Sequence, residues 1–234
     1  AQLEIGLAAT EVIESGATKG KAGLLENEPR FDYSGGATCP SLLLEPSRAQ
    51  LFSSSEWIST TYYGISSGCT IDNNDSTSPE GFQNALSAYG NGSSASVFFG
   101  SSVSLPTSGT YVWSVFAKAG GLDWVRLRNV GFDSGANNEG YFNVANGTKG
   151  ATNTWDDSDI EDYGNGWYRI WVKFTSTTDL DGTPYIYVAE SDGDSSITNY
   201  GSSNNVLFYG NMLEQATYVS SYIPNHSGGT ITRA

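Results

Sequence analysis

Beyond residue 29 the chain alternates apolar and polar side chains with a period of two, in short runs closed by Gly, Asn, Asp or Pro. That period sends neighbouring side chains to opposite faces of an extended strand, and the closing residues are those that turn a chain. SASVFFGSSVSL, GTYVWSVFAKAG, DWVRLRNVGF, EGYFNVANG, GWYRIWVKFTST, PYIYVAESDG and NVLFYGNMLEQ read this way, with shorter runs at SLLLEP, Ala85–Tyr89, DDSDIEDYG and YVSSYIP. About ten or eleven strands result, and no stretch holds a helical period over about ten residues. Short antiparallel strands in this number predict an all-β, two-sheet antiparallel sandwich, a jelly roll. Residues 1–28 alternate little and predict an N-terminal arm or lead-in, which leaves residues 29–234 as the jelly-roll domain. The absence of a fixed-period repeat argues against a propeller or β-helix.

Composition narrows the picture. Thirty aromatic residues (Trp 6, Tyr 14, Phe 10) in 234 give this chain the means to bury a core. A net charge of −14 argues against a nucleic-acid partner. No apolar run approaches the ~18 residues of a membrane span, and no signal peptide is visible. Cys39 and Cys69 leave open one disulfide or two small buried thiols.

The strand faces carry the candidate chemistry. In GNGWYRIWVKF one face is Tyr168, Ile170, Val172 and Phe174, which suits a core. The other is Trp167, Arg169, Trp171 and Lys173, with Trp167 read as core or rim. YVWSVFAK has a core-like face of Tyr111, Trp113, Val115 and Ala117, and puts Lys118 on the other; WVRLRNV turns Trp124, Arg126 and Arg128 one way. Of eleven Lys and Arg in the chain, Lys118, Arg126, Arg128, Arg169 and Lys173 fall in these three strands. As neighbours in one sheet, the strands would merge these side chains into a single surface, with Asn143 in the same cleft and Trp57 and Trp155 on rim loops. Indoles cover the apolar face of a pyranose, and guanidinium forks bind hydroxyls, carboxylates or sulfates. The competing reading makes these residues structural.

Other chemistries have less support. His226 is the only histidine, which disfavours a His-based proton shuttle. Asp157, Asp159 and Glu161 alternate along DDSDIED as a sandwich glycosidase would place carboxylates, yet the run leads straight into a turn. No catalytic residue is assigned. DNNDS (72–76) and ESDGDSS (190–196) gather oxygen ligands without EF-hand spacing.

EPRFDYSGGATCPSLLLEPSRAQLF, SPEGFQNALSAYG, YVWSVFAKAG, GYFNVANGTKGA, GNGWYRIWVKF and LFYGNMLEQATYVSSYIPNHSGGTITRA follow one another in order. Together they resemble the concanavalin-like jelly-roll domain of phage tail-fibre and virion surface proteins and of marine polysaccharide-degrading proteins. That domain is similar to the carbohydrate-binding modules for xylan and β-glucan. The resemblance spans Ala17 to Arg233. RAQLF stands where the family more often has RTNLF, and Met212 where a glutamine is commoner; should that glutamine face the ligand in relatives, one polar contact is absent here. The resemblance implies a non-catalytic, lectin-like domain that attaches a phage fibre or secreted enzyme to a surface or extracellular polysaccharide. It also implies a place in a longer polypeptide, outside the cell or on a virion, with no nucleic-acid or membrane partner and with a homo-oligomer allowed. No cofactor is required; sugar-binding relatives often carry a structural Ca²⁺, which the acidic loops would hold. The alternatives are a structural virion jelly roll without sugar binding and, behind it, a glycosidase or polysaccharide lyase.

Overall fold

The computed structural model describes residues 30–32, 41–43, 45–133 and 138–233. Two units are distinguished, Arg48–Thr232 and a second made of Ala1–Ser47 with Arg233–Ala234. In the second, β1 (Arg30–Asp32) pairs antiparallel with β2 (Ser41–Leu43). The first begins at β3 (Arg48–Gln50), and β17 (Ile231–Arg233) is the last strand of the chain. Between them lie the two sheets of the expected sandwich. Sheet I consists of β4 (Gly64–Ile65), β7 (Phe98–Gly100), β8 (Val103–Ser104), β10 (Trp124–Gly131), β11 (Glu139–Asn143), β12 (Thr148–Asn153) and β15 (Asp181–Ala189). It runs in the order β12-β11-β10-β15-β7-β4, with β8 also on β15. Sheet II runs β13-β14-β9-β16-β6-β5. Its strands are β5 (Cys69–Ser76), β6 (Ala85–Gly90), β9 (Gly109–Ala119), β13 (Asp157–Asp162), β14 (Trp167–Ser176) and β16 (Asn205–Gln215). Among the described residues no helix is long and apolar enough to cross a membrane.

The apolar faces read from the sequence meet between the sheets. Tyr111, Trp113, Val115 and Ala117 of β9 and Ile170, Val172 and Phe174 of β14 form one core with Val125, Leu127, Ile186 and Val188 of sheet I. Trp113 is fully buried, packs edge-on to Phe52 and Trp155 at 6.4 and 6.1 Å, and donates its indole N–H to Asn211 Oδ1 at 2.7 Å. Large rings with their polar atom satisfied are where most of the burial energy resides.

Sheet II is covered on its outer face as well. Ala85, Phe116, Trp167 and Tyr209 form a second apolar cluster with Leu207 and Tyr222 packed against it. Beside it the RAQLF and LEQATYVSSYIPN segments lock together. Gln50, fully buried, donates to the carbonyls of Asn211 and Ile223 and accepts from the N–H groups of Phe52 and Leu213. The buried Glu214 carboxylate accepts from Ser220 N and Oγ and lies 3.7 Å from Arg48 Nε. Asn225 Nδ2 donates to the carbonyls of Phe52 and Gly229. Met212 is fully buried beneath this clasp, its sulfur accepting from Ile223 N, so its position faces the covering segment. Cys69 is a buried thiol whose pKa burial pushes up to about 12; Cys39 lies outside the described residues.

The clasp gives the fold an alkaline limit. Burial pushes the phenols of Tyr63, Tyr209 and Tyr222 well above the usual tyrosine range, and the Glu56 carboxylate near Tyr209 and Tyr222 adds to it. Groups raised in the folded state stabilise it fully below their unfolded pKa of about 10 and lose that contribution as pH climbs above it. We expect phenolate absorbance of the 14 tyrosines to appear in two phases, the late one coinciding with loss of the β-sheet circular dichroism signal. A single smooth titration with the sheet signal intact would contradict this assignment.

Candidate binding face on sheet I

One outer face is covered and the other is partly open, and the open one carries the aromatic and cationic side chains. Along β10, Val125 and Leu127 point to the core, which turns Trp124, Arg126 and Arg128 outward. Along β15, Ile186 and Val188 point inward, which turns Asp181, Thr183, Tyr185 and Tyr187 outward. The strand register then sets Tyr141, Arg126, Tyr187 and Phe98 in one row across β11, β10, β15 and β7, and Glu139, Arg128, Tyr185 and Gly100 in the next.

Arg126 is the fixed point of this face. Its guanidinium lies 4.8 Å from the Tyr187 ring centroid and 5.6 Å from that of Tyr141. One terminal nitrogen pairs with the Glu139 carboxylate and the other donates to Ser195 Oγ at 3.0 Å. Ser195 belongs to the 190–197 loop, which meets the face here; Tyr141 and Tyr187 are accordingly buried, and burial pushes the Tyr141 phenol up against the pull of Arg126. Phe98 packs on Tyr187 at 4.7 Å and on Tyr185 at 5.3 Å. Tyr185 lies over Gly100, where any Cβ would collide with its ring, so the glycine is what lets the phenol lie down. Phe98, Tyr185, Arg128 and Trp124 remain partly exposed. Next along β15 is a shallow depression of about 350 Å³ lined by Ser102, Val103, Ser104, Asp181, Gly182 and Thr183.

The expectation of one merged surface is overturned. β9 and β14 pair with each other in sheet II, whereas β10 belongs to sheet I, so Trp124, Arg126 and Arg128 lie on the opposite exterior from Arg169, Trp171 and Lys118. The physical reason is the link between β9 and β10. Gly120–Asp123 sends Leu122 into the core, and the chain arches from one sheet to the other instead of folding back as a hairpin. On sheet II, Arg169 is 3% exposed, lies 5.2 Å over Phe116 and donates to Ser114 Oγ at 3.0 Å. Trp171 is partly exposed and donates to Glu161 Oε1 at 2.9 Å. Lys118 donates to the carbonyl of Asn165 in the β13–β14 turn, and Trp167 lies in the second cluster as core.

Trp155 and Asn143 are also not on a shared cleft with these. Trp155 is a core residue against Trp113 and Phe174, and Asn143 Oδ1 caps the turn after β11 by accepting from Ala145 and Asn146 N–H. Trp57 is 50% exposed on its loop. Sequence reasoning missed Tyr141, Tyr185, Tyr187 and Phe98; the alternation in PYIYV carries the same outward-facing signal as WVRLR.

The acidic runs have local uses. Asp157 pairs with Lys173 at 3.0 Å and Asp159 with Lys149 at 3.6 Å, while Glu161 receives the Trp171 N–H. In DNNDS, Asn73 exchanges hydrogen bonds with Ile58 N and O, and Asp72 accepts from Tyr89. In the second acidic loop, Glu190 accepts from the N–H groups of Thr198 and Asn199, and Asp192 from that of Ala151. Among the described residues no three His, Cys, Asp or Glu side chains converge as a metal site would need.

No protein-family model matches the chain. No curated protein matches it either. Solved structures similar to it include the CBM22-1–GH10 modules of Clostridium thermocellum xylanase 10B complexed with xylohexaose, at 16% identity and TM-score 0.40 over 75% of this chain and 29% of that one. TmCBM61 in complex with β-1,4-galactotriose is similar at 10% identity and TM-score 0.38, over 66% of this chain and 88% of that one. The enzymatically active domain of bacteriophage CBA120 tailspike protein 4 is similar at 10% identity and TM-score 0.36, over 65% of this chain and 18% of that one.

Proposed function

We propose that this chain is a non-catalytic glycan-binding domain whose ligand lies across the outer face of sheet I. The observation that supports it is the row built around Arg126, in which a guanidinium held by Glu139 and Ser195 fixes Tyr187, and through it Phe98 and Tyr185, in place. Rings immobilised before binding lose little entropy when a sugar stacks on them. Trp124 and Arg128 extend the same face along β10, and the hydroxyl-lined depression extends it along β15. The sequence motifs resemble those of glycan-binding jelly rolls without singling out this face. Their implication that the domain anchors a phage fibre or secreted enzyme to an extracellular or surface polysaccharide forms part of this proposal.

Affinity electrophoresis against a panel of neutral and acidic polysaccharides tests the reading. We expect Tyr185→Ala and Trp124→Ala to weaken retention about thirtyfold, as loss of a stacked anchor does, and Trp171→Ala to leave it near wild type. The opposite ranking would move the site to the β13–β14 edge of sheet II. Failure of the wild-type chain to be retained by any polymer would remove the function.

A further inference from the structure

The chemical class of the ligand can be read from Arg128, on the condition that the sheet I face is the glycan site proposed above. Arg128 has Glu139 and Tyr185 as its cross-strand neighbours. The Glu139 carboxylate is taken by Arg126, and among the described residues Arg128 has neither a hydrogen bond nor an ion pair. Glu139 is engaged by Arg126, and the nearby Asp194 carboxylate acts on Tyr141, at the other end of the Arg126 row, so Arg128 is the cation of this face that no described carboxylate pairs. A guanidinium that pairs with none of the described residues, on the strand beside a partly exposed phenol, forms a combined recognition element. The ring offers a flat apolar surface and the fork offers parallel donors that match a planar carboxylate or a sulfate.

Spacing ties the two together. Side chains directly opposite across antiparallel strands start about 5 Å apart at Cβ. The Tyr185 ring leans over Gly100, and the long Arg128 side chain on the other flank of β15 is the cation that an acidic substituent on the rim of a sugar stacked there would meet. The neighbouring sugar falls toward Thr183, Ser102 and Ser104, whose hydroxyls suit neutral hydroxyl partners. Global repulsion does not forbid such a ligand, because at about 0.15 M salt the Debye length is about 8 Å, so contact pairs outweigh distant charges.

We infer that the face selects an acidic polysaccharide, a uronan or a sulfated glycan, with Arg128 as the residue that reads its anionic group. The test compares polygalacturonate, the same polymer after carboxyl reduction, and a sulfated galactan with its desulfated form, each against the wild type and Arg128→Gln, at fixed salt. The expected result is that wild type holds at least one acidic polymer ten- to a hundredfold more tightly than its neutral counterpart, and that Arg128→Gln erases the difference. The polygalacturonate and sulfated-galactan pairs tell carboxylate from sulfate. Equal retention of acidic and neutral forms by wild type, or a preference that survives Arg128→Gln, overturns this inference and leaves the glycan-binding reading standing. Retention of none of the polymers overturns both. Arg128 is partly exposed, and matched melting curves of the two proteins establish that the variant is folded.

Discussion

Gln50→Ala is expected to destabilise the sandwich by about 4 kcal/mol, because four buried backbone groups lose their partner at once. The side chain reaches Asn211 O at 2.8 Å, Ile223 O at 3.4 Å, Phe52 N at 3.1 Å and Leu213 N at 3.0 Å, and it is fully shielded from solvent. In a chain of this size each kcal/mol lowers the melting temperature by about 2–4 °C, so a fall of about 8–16 °C should appear in thermal circular dichroism. Gln50→Asn gives the graded control. One methylene shorter, it reaches only part of the set, and an intermediate loss of about 2 kcal/mol is expected. A shift of less than about 2 °C for the alanine variant would mean that water replaces the lost bonds and that the clasp is not what ties β3 to β16 and the segment after it.

The clasp also explains what the sequence motifs encode. RAQLF and LEQATYVSSYIPN lie within stretches that carry the resemblance, and their polar residues Gln50, Glu214, Ser220 and Asn225 are all buried in the cover of sheet II. They specify a fold, and they lie on the far side of the sandwich from the proposed binding face. The strands themselves were legible because each buried face alternates cleanly with an outward one, as Val125 and Leu127 do with Arg126 and Arg128. Alternation assigns side chains to a face but cannot say which strand lies beside which. Lys118, Arg169 and Trp171 share the outer face of sheet II because β9 and β14 are neighbours. Arg126 does not join them, because the Gly120–Asp123 link is an arch where the pattern equally allows a tight turn, and only Leu122, an isolated apolar residue in that link, marks the difference. The tyrosines of this face carry an equal signal in the sequence. Tyr187 next to Ile186 is as plain an outward ring as Trp171, and the partner it stacks on lies 61 residues earlier in the chain, at Arg126.

That long-range partnership makes Arg126 the residue whose loss should most damage binding without its touching the ligand itself. Arg126→Ala leaves the Glu139 carboxylate without its cation and removes the guanidinium between Tyr141 and Tyr187. The pair is partly exposed, so the expected loss of stability is modest, about 2 kcal/mol. The expected loss of glycan retention, measured well below the melting temperature, is larger, about a hundredfold, because the ring array must then be ordered at the moment of binding. Arg126→Lys separates the two roles. An ammonium restores the charge opposite Glu139 but has no planar fork to stack on Tyr187 while donating to Ser195, so stability should return while most of the retention stays lost. Were lysine to restore both in full, charge alone would hold the face together, and the stacked guanidinium would have no part in shaping the rings that meet the sugar.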